Sequence, residues 1–167
     1  MNESTTDPVA SQVSLREVAE SDLDLFFVQQ LDADANWLAA FTAPDPSDRH
    51  AFDAHWRKIR ASDTVFNRTI LYDGAIAGSV LSYEEEGRTE VSYWLGREFW
   101  GKGIATAALA HFLKLRTQRP LHARAAKDNL GSIRVLEKCG FTICGEDSGF
   151  ANARGAEIDE GVYWLHE

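Results

Sequence analysis

The segment that most limits what this chain can become runs from Thr89: Thr-Glu-Val-Ser-Tyr-Trp-Leu, then Gly96-Arg-Glu-Phe-Trp-Gly101-Lys-Gly103, then Ile104-Ala-Thr-Ala-Ala-Leu. A strand pattern passes through a glycine-bearing loop into an apolar helix pattern, with Ile104, Ala108, Phe112 and Leu115 on one face. That order sets backbone N–H groups and a helix N-terminus against an anionic group, for which phosphate is the obvious candidate. Two nucleotide motifs fail on inspection. Gly96 to Lys102 matches GxxxxGK, but Gly103 follows where a Walker A loop needs a hydroxyl for magnesium. Gly101-Lys-Gly103-Ile-Ala-Thr106 opens like a dinucleotide fingerprint, yet its sixth position is Thr106 and no βαβ series precedes it.

Composition narrows the function classes. The 167 residues suit one domain, with 1–12 expected as a flexible tail and 13–167 as the domain. Seventeen Lys and Arg against 26 Asp and Glu give a net charge of −9, which argues against binding nucleic acid or an anionic membrane. The longest apolar run, 37–41, is far shorter than the roughly 20 residues of a spanning helix. The first twelve residues have no basic start and no apolar stretch, so no secretory signal is read there and a cytoplasmic location is expected. Cys139 and Cys144 are too few for a disulfide framework and are read as buried thiols. Five scattered histidines lack ligand spacing, so no metal is expected.

The charge is unevenly spread. Residues 97–138 carry nine cations against three anions, leaving eight against 23 elsewhere. A basic segment in an acidic chain suits an anionic ligand on one side and a cationic partner on the other.

Along the chain, a strand begins at Val13. Ser21 is expected to cap a helix through residues 22–31, residues 33–46 to be irregular, and Ser47 to cap a second helix carrying Ala51, Phe52, His55, Trp56 and Ile59. Strands at 65–72 and 75–83 flank Asp73-Gly74, a strong hairpin signal, and a third strand follows at 89–95. A helix from 104 to about 117, a strand at 121–126, a helix from 130 to 139 closed by Gly140, and strands at 141–145 and 161–166 complete the chain. About four helices around one mixed, mostly antiparallel, twisted sheet make an α+β fold.

Gly103-Ile104-Ala105 supplies the G-x-G/A that opens the pyrophosphate loop of the GNAT acetyltransferases, and Asn129-x-x-Ser132 followed by Gly140-Phe141 resembles the second motif of that superfamily. The run Tyr93-Trp-Leu-Gly to Trp100-Gly-Lys-Gly-Ile-Ala-Thr106 is most similar to the Rim-type ribosomal-protein N-terminal acetyltransferases. The resemblance implies a three-layer fold with two strands splayed apart at the cofactor site, and acetyl-CoA as acyl donor. Its pyrophosphate would meet Trp100, Gly101, Lys102, Gly103, Ile104 and Ala105. Its pantetheine would pair with the edge of Tyr93, Trp94 and Leu95, and Asn129 would bond the cofactor arm. Asn129 is equally suited to capping the helix that follows it.

Acetyl transfer to an amine needs a base for the ammonium proton, and the departing thiolate needs a donor. Glu90 lies on the strand beside the splay, where several members of the superfamily keep a general-base glutamate. The tyrosine many members place seven residues after the Asn is Leu136 here. Rim-type members are thought to use the serine three residues after it, which is Ser132. Trp37, Phe41, Trp56, Phe150 and Trp164 are aromatic candidates for an acceptor pocket. The expected function is N-acetylation of a primary amine, first a protein N-terminal α-amine, next a small-molecule amine. The rival is a non-catalytic acyl-CoA sensor. Edge-strand pairing into a homodimer is open to such a chain.

Overall fold

A computed structural model describes residues 8–167 of the chain. In order these are α1 (Pro8–Gln12), β1 (Val13–Arg16), a 3-10 turn (Glu20–Asp22), α2 (Leu23–Gln30), α3 (Ala33–Ala39), α4 (Arg49–Ala61), β2 (Phe66–Tyr72), β3 (Ala75–Glu85) and β4 (Arg88–Leu95). A second 3-10 turn (Arg97–Phe99) leads to α5 (Ile104–Leu115), β5 (Leu121–Ala126), α6 (Leu130–Lys138), β6 (Thr142–Ala151) and β7 (Ala156–Leu165). The seven strands form one sheet in the order β1-β2-β3-β4-β5-β7-β6. Every neighbouring pair is antiparallel except β4 with β5.

Two clusters hold the layers together. On one face Ile104, Ala108, Leu109 and Phe112 of α5 pack on Ile70, Val80, Val91 and Leu121 of the sheet. On the other, Phe26 of α2 and Phe52, Trp56 and Ile59 of α4 pack on Ile76 and Leu81 of β3. The alternation of Val80 and Leu81 between the clusters is the strand period at work. The expected mixed, mostly antiparallel sheet in an α+β layered fold is present.

Several sequence expectations are corrected. Six α-helices stand among the described residues where about four were expected. Of the expected tail, residues 1–7 lie outside the described residues, while 8–12 form α1, whose Ala10 carbonyl meets the His111 ring on α5 at 3.0 Å. Part of the stretch read as irregular is α3, capped by Asp32, whose side chain accepts from the Asp34 and Ala35 amides. Ser21 does not cap α2. Asp22 accepts from the Ala19 amide, the Thr69 hydroxyl and both ends of the Arg16 guanidinium. These bonds, led by Arg16, hold its carboxyl down at about 2. Likewise Asp48, and not Ser47, caps α4 through the Ala51 amide. The final hairpin is longer than expected, since β6 and β7 pair from Thr142 to Ala151. The thiols also differ from expectation: Cys144 is exposed on β6, and Cys139 is half-buried.

No helix among the described residues is long and apolar enough to cross a membrane.

Candidate active site

The sheet opens between its two parallel strands. β4 and β5 share a single register pair, Glu90 with His122. Beyond it the strands diverge, although β4 stays paired to β3 as far as Leu95 and β5 to β7 as far as Ala126. On its other side β4 lies close on Gly78 of β3, where a Cβ would sit 1.9 Å from the Trp94 carbonyl oxygen. Only glycine lets β3 approach the end of β4 this closely. The inner edge of β4 past Glu90 therefore offers backbone donors and acceptors that no neighbouring strand uses. Ser92, in the middle of the sheet, is exposed as a result.

At the open end of the split lies the glycine loop. Gly103 caps α5 with φ 79°, and Gly101 has φ 73°. A Cβ at either would project into open space, with no protein atom within 4 Å. The first amides of a helix lack intrahelical partners, so the start of α5 offers donors where backbone can be approached closely. Ile104, 1% exposed, anchors that end in the core. The Trp100 indole donates to the Leu95 carbonyl at 3.0 Å, and Arg97 pairs with Asp32 and Asp34 at the start of α3. Both fix the loop to the body. An extended amide arm ending in a pyrophosphate fits this arrangement, with the β4 edge for the arm and the α5 amides for the phosphates.

A cavity of about 1100 Å³ follows the split. It brings together both proposed catalytic residues, Glu90 and Ser132, with Tyr93, Trp94, Leu95, Trp100, Gly101, Gly103, Ile104, Ala105 and Asn129. Lys102 is exposed and does not line it. The side chains of the β4 segment have tasks of their own: the Trp94 indole donates to the Gln29 carbonyl of α2, and Leu95 packs in the core.

Glu90 is 3% exposed and on the cavity side of β4. Burial pushes its carboxyl up, and Arg124 pulls it back by charge and by a contact from Nε to Oε1 at 3.5 Å. Asn129 caps α6, its Oδ1 accepting from the Ser132 amide at 3.3 Å, so the capping alternative for Asn129 is realised. Leu136, at the position where a tyrosine was sought, is buried in the core. A tyrosine does approach α6, from the sheet. Tyr93 extends from β4 to α6, its hydroxyl 2.8 Å from the Ser132 Oγ. Burial raises that phenol to about 12, against the opposing Ser132 hydrogen bond, so it keeps its proton at neutral pH.

Away from the loop, the cavity is lined by Glu85, Glu86, Asp147 and Glu160, with Arg124 among them. Of the basic segment, Arg124, Arg134 and Lys138 line the cavity, and Arg97, Arg124 and Lys127 are committed to carboxylates. Of the aromatic candidates, Phe41 and Trp56 line the cavity. Trp37 carries the Arg154 guanidinium 4.5 Å over its ring, Trp164 packs on His166, and Phe150 is exposed outside. Sequence reasoning missed the Tyr93 side chain and Arg124. A lone arginine in Leu121-His-Ala-Arg-Ala-Ala was a usable signal, since an arginine inside an alanine strand needs carboxylates around it.

Known proteins share this fold. The profile described as "Acetyltransferase (GNAT) domain" matches residues 12–142. "Putative ribosomal N-acetyltransferase YdaF" of Bacillus subtilis (strain 168) is 31% identical over 115 residues, covering 63% of this chain and 62% of that relative's own length. Among solved structures, spermidine N-acetyltransferase from Vibrio cholerae in complex with CoA and spermine superposes with a TM-score of 0.80 at 17% identity, over 93% of this chain and 96% of the other. Mycobacterium smegmatis RimJ in complex with CoA-disulfide superposes with a TM-score of 0.75 at 24% identity, over 92% and 81%.

Proposed function

From the premise that the chain belongs to the GNAT acetyltransferase family, we propose that it is an N-acetyltransferase that moves an acetyl group from acetyl-CoA directly to a primary amine. The leading acceptor is a protein N-terminal α-amine, and a small-molecule amine is next. One observation carries the reading: the split between β4 and β5 has a buried carboxylate, Glu90, at its vertex and the glycine loop at its mouth. Bound acetyl-CoA supplies a thioester carbonyl open to an amine and a thiolate able to leave.

The chain's own groups divide the remaining work. Gly101, Gly103 and the first amides of α5 hold the pyrophosphate, and the inner edge of β4 aligns the arm. Glu90 takes the proton of the incoming ammonium, directly or through water. Tyr93, held protonated, shares a 2.8 Å hydrogen bond with the Ser132 Oγ; with the phenol as donor, the serine hydrogen is free to face the sulfur, where negative charge develops. The acidic lining from Glu85, Glu86, Asp147 and Glu160 favours a cationic acceptor. The relatives support both acceptor classes, since one is named for spermidine and one for the ribosome. Action in the cytoplasm, without nucleic acid or membrane, completes the proposal.

The test is a panel of peptides with different N-termini and of small amines, incubated with acetyl-CoA and followed by free thiol. Thiol release dependent on one acceptor class supports the reading and names the class. Tight acetyl-CoA binding with no turnover across the panel would instead make the chain a sensor.

A further inference from the structure

Arg124 lies in the middle of β5 and joins carboxylates from three other strands. Its Nη1 donates to Asp147 Oδ2 on β6 and to Glu160 Oε1 on β7, both at 2.9 Å, and its Nε lies 3.5 Å from Glu90 Oε1 on β4. All four side chains line the same cavity. Their exposure is graded: Glu90 3%, Glu160 11%, Arg124 28% and Asp147 55%. The guanidinium thus crosses from the paired half of the sheet to the strand that leaves it, with its Nη1 anchored and its Nε turned toward the most buried carboxylate.

We infer that Arg124 is a positioning residue that keeps Glu90 ionised and oriented toward the acceptor amine, while Asp147 and Glu160 serve to hold the guanidinium in place. This rests on the reading of Glu90 as the base. A buried carboxylate without a cation keeps its proton to higher pH, and a protonated carboxyl cannot accept one from an ammonium. The other groups near Glu90 do not replace Arg124. Tyr83, directly across on β3, is pushed up by burial to about 12 and is neutral. His122, its register partner on β5, is pushed down by burial and by Arg88, Arg124 and His166. Glu85 opposes ionisation of Glu90, and Arg88, though it favours it, is an exposed residue at the start of β4. The rival assignment, an anchor for a carboxylate on the substrate, is disfavoured because three carboxylates already surround the one guanidinium and would repel a fourth. A lysine would retain the charge but not the planar fork that reaches three strands.

The experiment follows kcat/KM against pH, with one accepted amine whose own pKa lies well above the acidic limb, so that it is an ammonium throughout the limb. Wild type, Arg124→Gln, Arg124→Met and Arg124→Lys are compared, with Arg124→Gln also made in a Glu90→Gln background, all normalised to folded protein. Two uncharged replacements are included so that a folding failure of one leaves the other. Loss of the cation is expected to move the acidic limb up by about one pH unit or more, a tenfold loss below the limb. The acetyl-CoA Kd should stay the same. Arg124→Lys should keep the limb near its wild-type position with a lower plateau. In the Glu90→Gln background, Arg124→Gln should shift nothing further, because the coupled group is gone. An unmoved limb in the uncharged variants, with Glu90→Gln impaired, overturns the inference and leaves Glu90 as base. A wild-type profile in Glu90→Gln removes the base reading itself.

Discussion

Ser132 shows how much one hydroxyl depends on its neighbours. Its amide is fixed by the Asn129 cap, and its Oγ is 2.8 Å from a phenol that burial keeps protonated. On the proposed mechanism its contribution is to the departing sulfur. Ser132→Ala is therefore expected to lower kcat by about 10-fold or more, in the range of general acid–base groups, while the Kd for acetyl-CoA stays near wild type. Steady-state kinetics beside calorimetry checks both halves, and unchanged kcat would reduce Ser132 to a residue of the first helical turn. Glu90 and Ser132 were legible in the sequence because each sits beside a motif. Tyr93 was legible only as backbone, since nothing in the order of residues says that a strand side chain will cross to α6.

The elements that form the site are set by backbone geometry more than by side chains. β3 meets Trp94 at Gly78, where a Cβ would clash, and the proposed phosphate cradle depends on Gly101 and Gly103 at positive φ. On the proposed function a branched side chain at Gly103 would intrude where backbone meets phosphate, yet among the described residues nothing beyond its chain neighbours lies within 4 Å of a Cβ there. Gly103→Val should thus leave a folded protein, at a strain cost of about 1–2 kcal/mol for the left-handed backbone, and abolish acetyl-CoA binding. Circular dichroism with titration calorimetry decides it, and wild-type affinity would move the phosphate site elsewhere. Turn chemistry of this local kind is what the sequence displays well. Asp73-Gly74 forms its hairpin at φ 51° and 83°, and Gly140 closes α6 at φ 92°. Caps were harder, because Ser47 precedes Asp48, which caps α4, and Ser21 precedes Asp22, whose carboxylate is taken up by Arg16, Thr69 and the Ala19 amide and caps nothing in α2. α3 and the long β6–β7 hairpin were hidden because tertiary contacts stabilise them. The hairpin's tip holds the end of α3 through Arg154, which donates to the Trp37 carbonyl and pairs with Asp128, and through the Ala153 amide on the Ala40 carbonyl.

For the whole molecule, the cavity joins two regions of opposite demand: a loop with free amides at one end and a carboxylate-rich lining about Arg124 at the other. Binding at the first end engages only the folded state, so acetyl-CoA at about 100 times its Kd should stabilise the protein by roughly 2.7 kcal/mol, or by roughly 5–10 °C in Tm for a domain of this size. ATP and NAD should give much less, and equal shifts with all three would remove the specificity for acetyl-CoA. On the proposed mechanism, chemistry at the second end turns on Glu90, whose replacement by glutamine keeps shape and loses the proton acceptor. The most direct measurement is kcat/KM against pH for wild type and Glu90→Gln, normalised to folded protein. A fall of about 10² to 10⁴ is expected, with unchanged acetyl-CoA affinity and a residual rate that climbs with pH toward the amine's own pKa. Profiles of equal height and shape would contradict the account and leave Glu90 a buried partner of Arg124 with no part in the transfer.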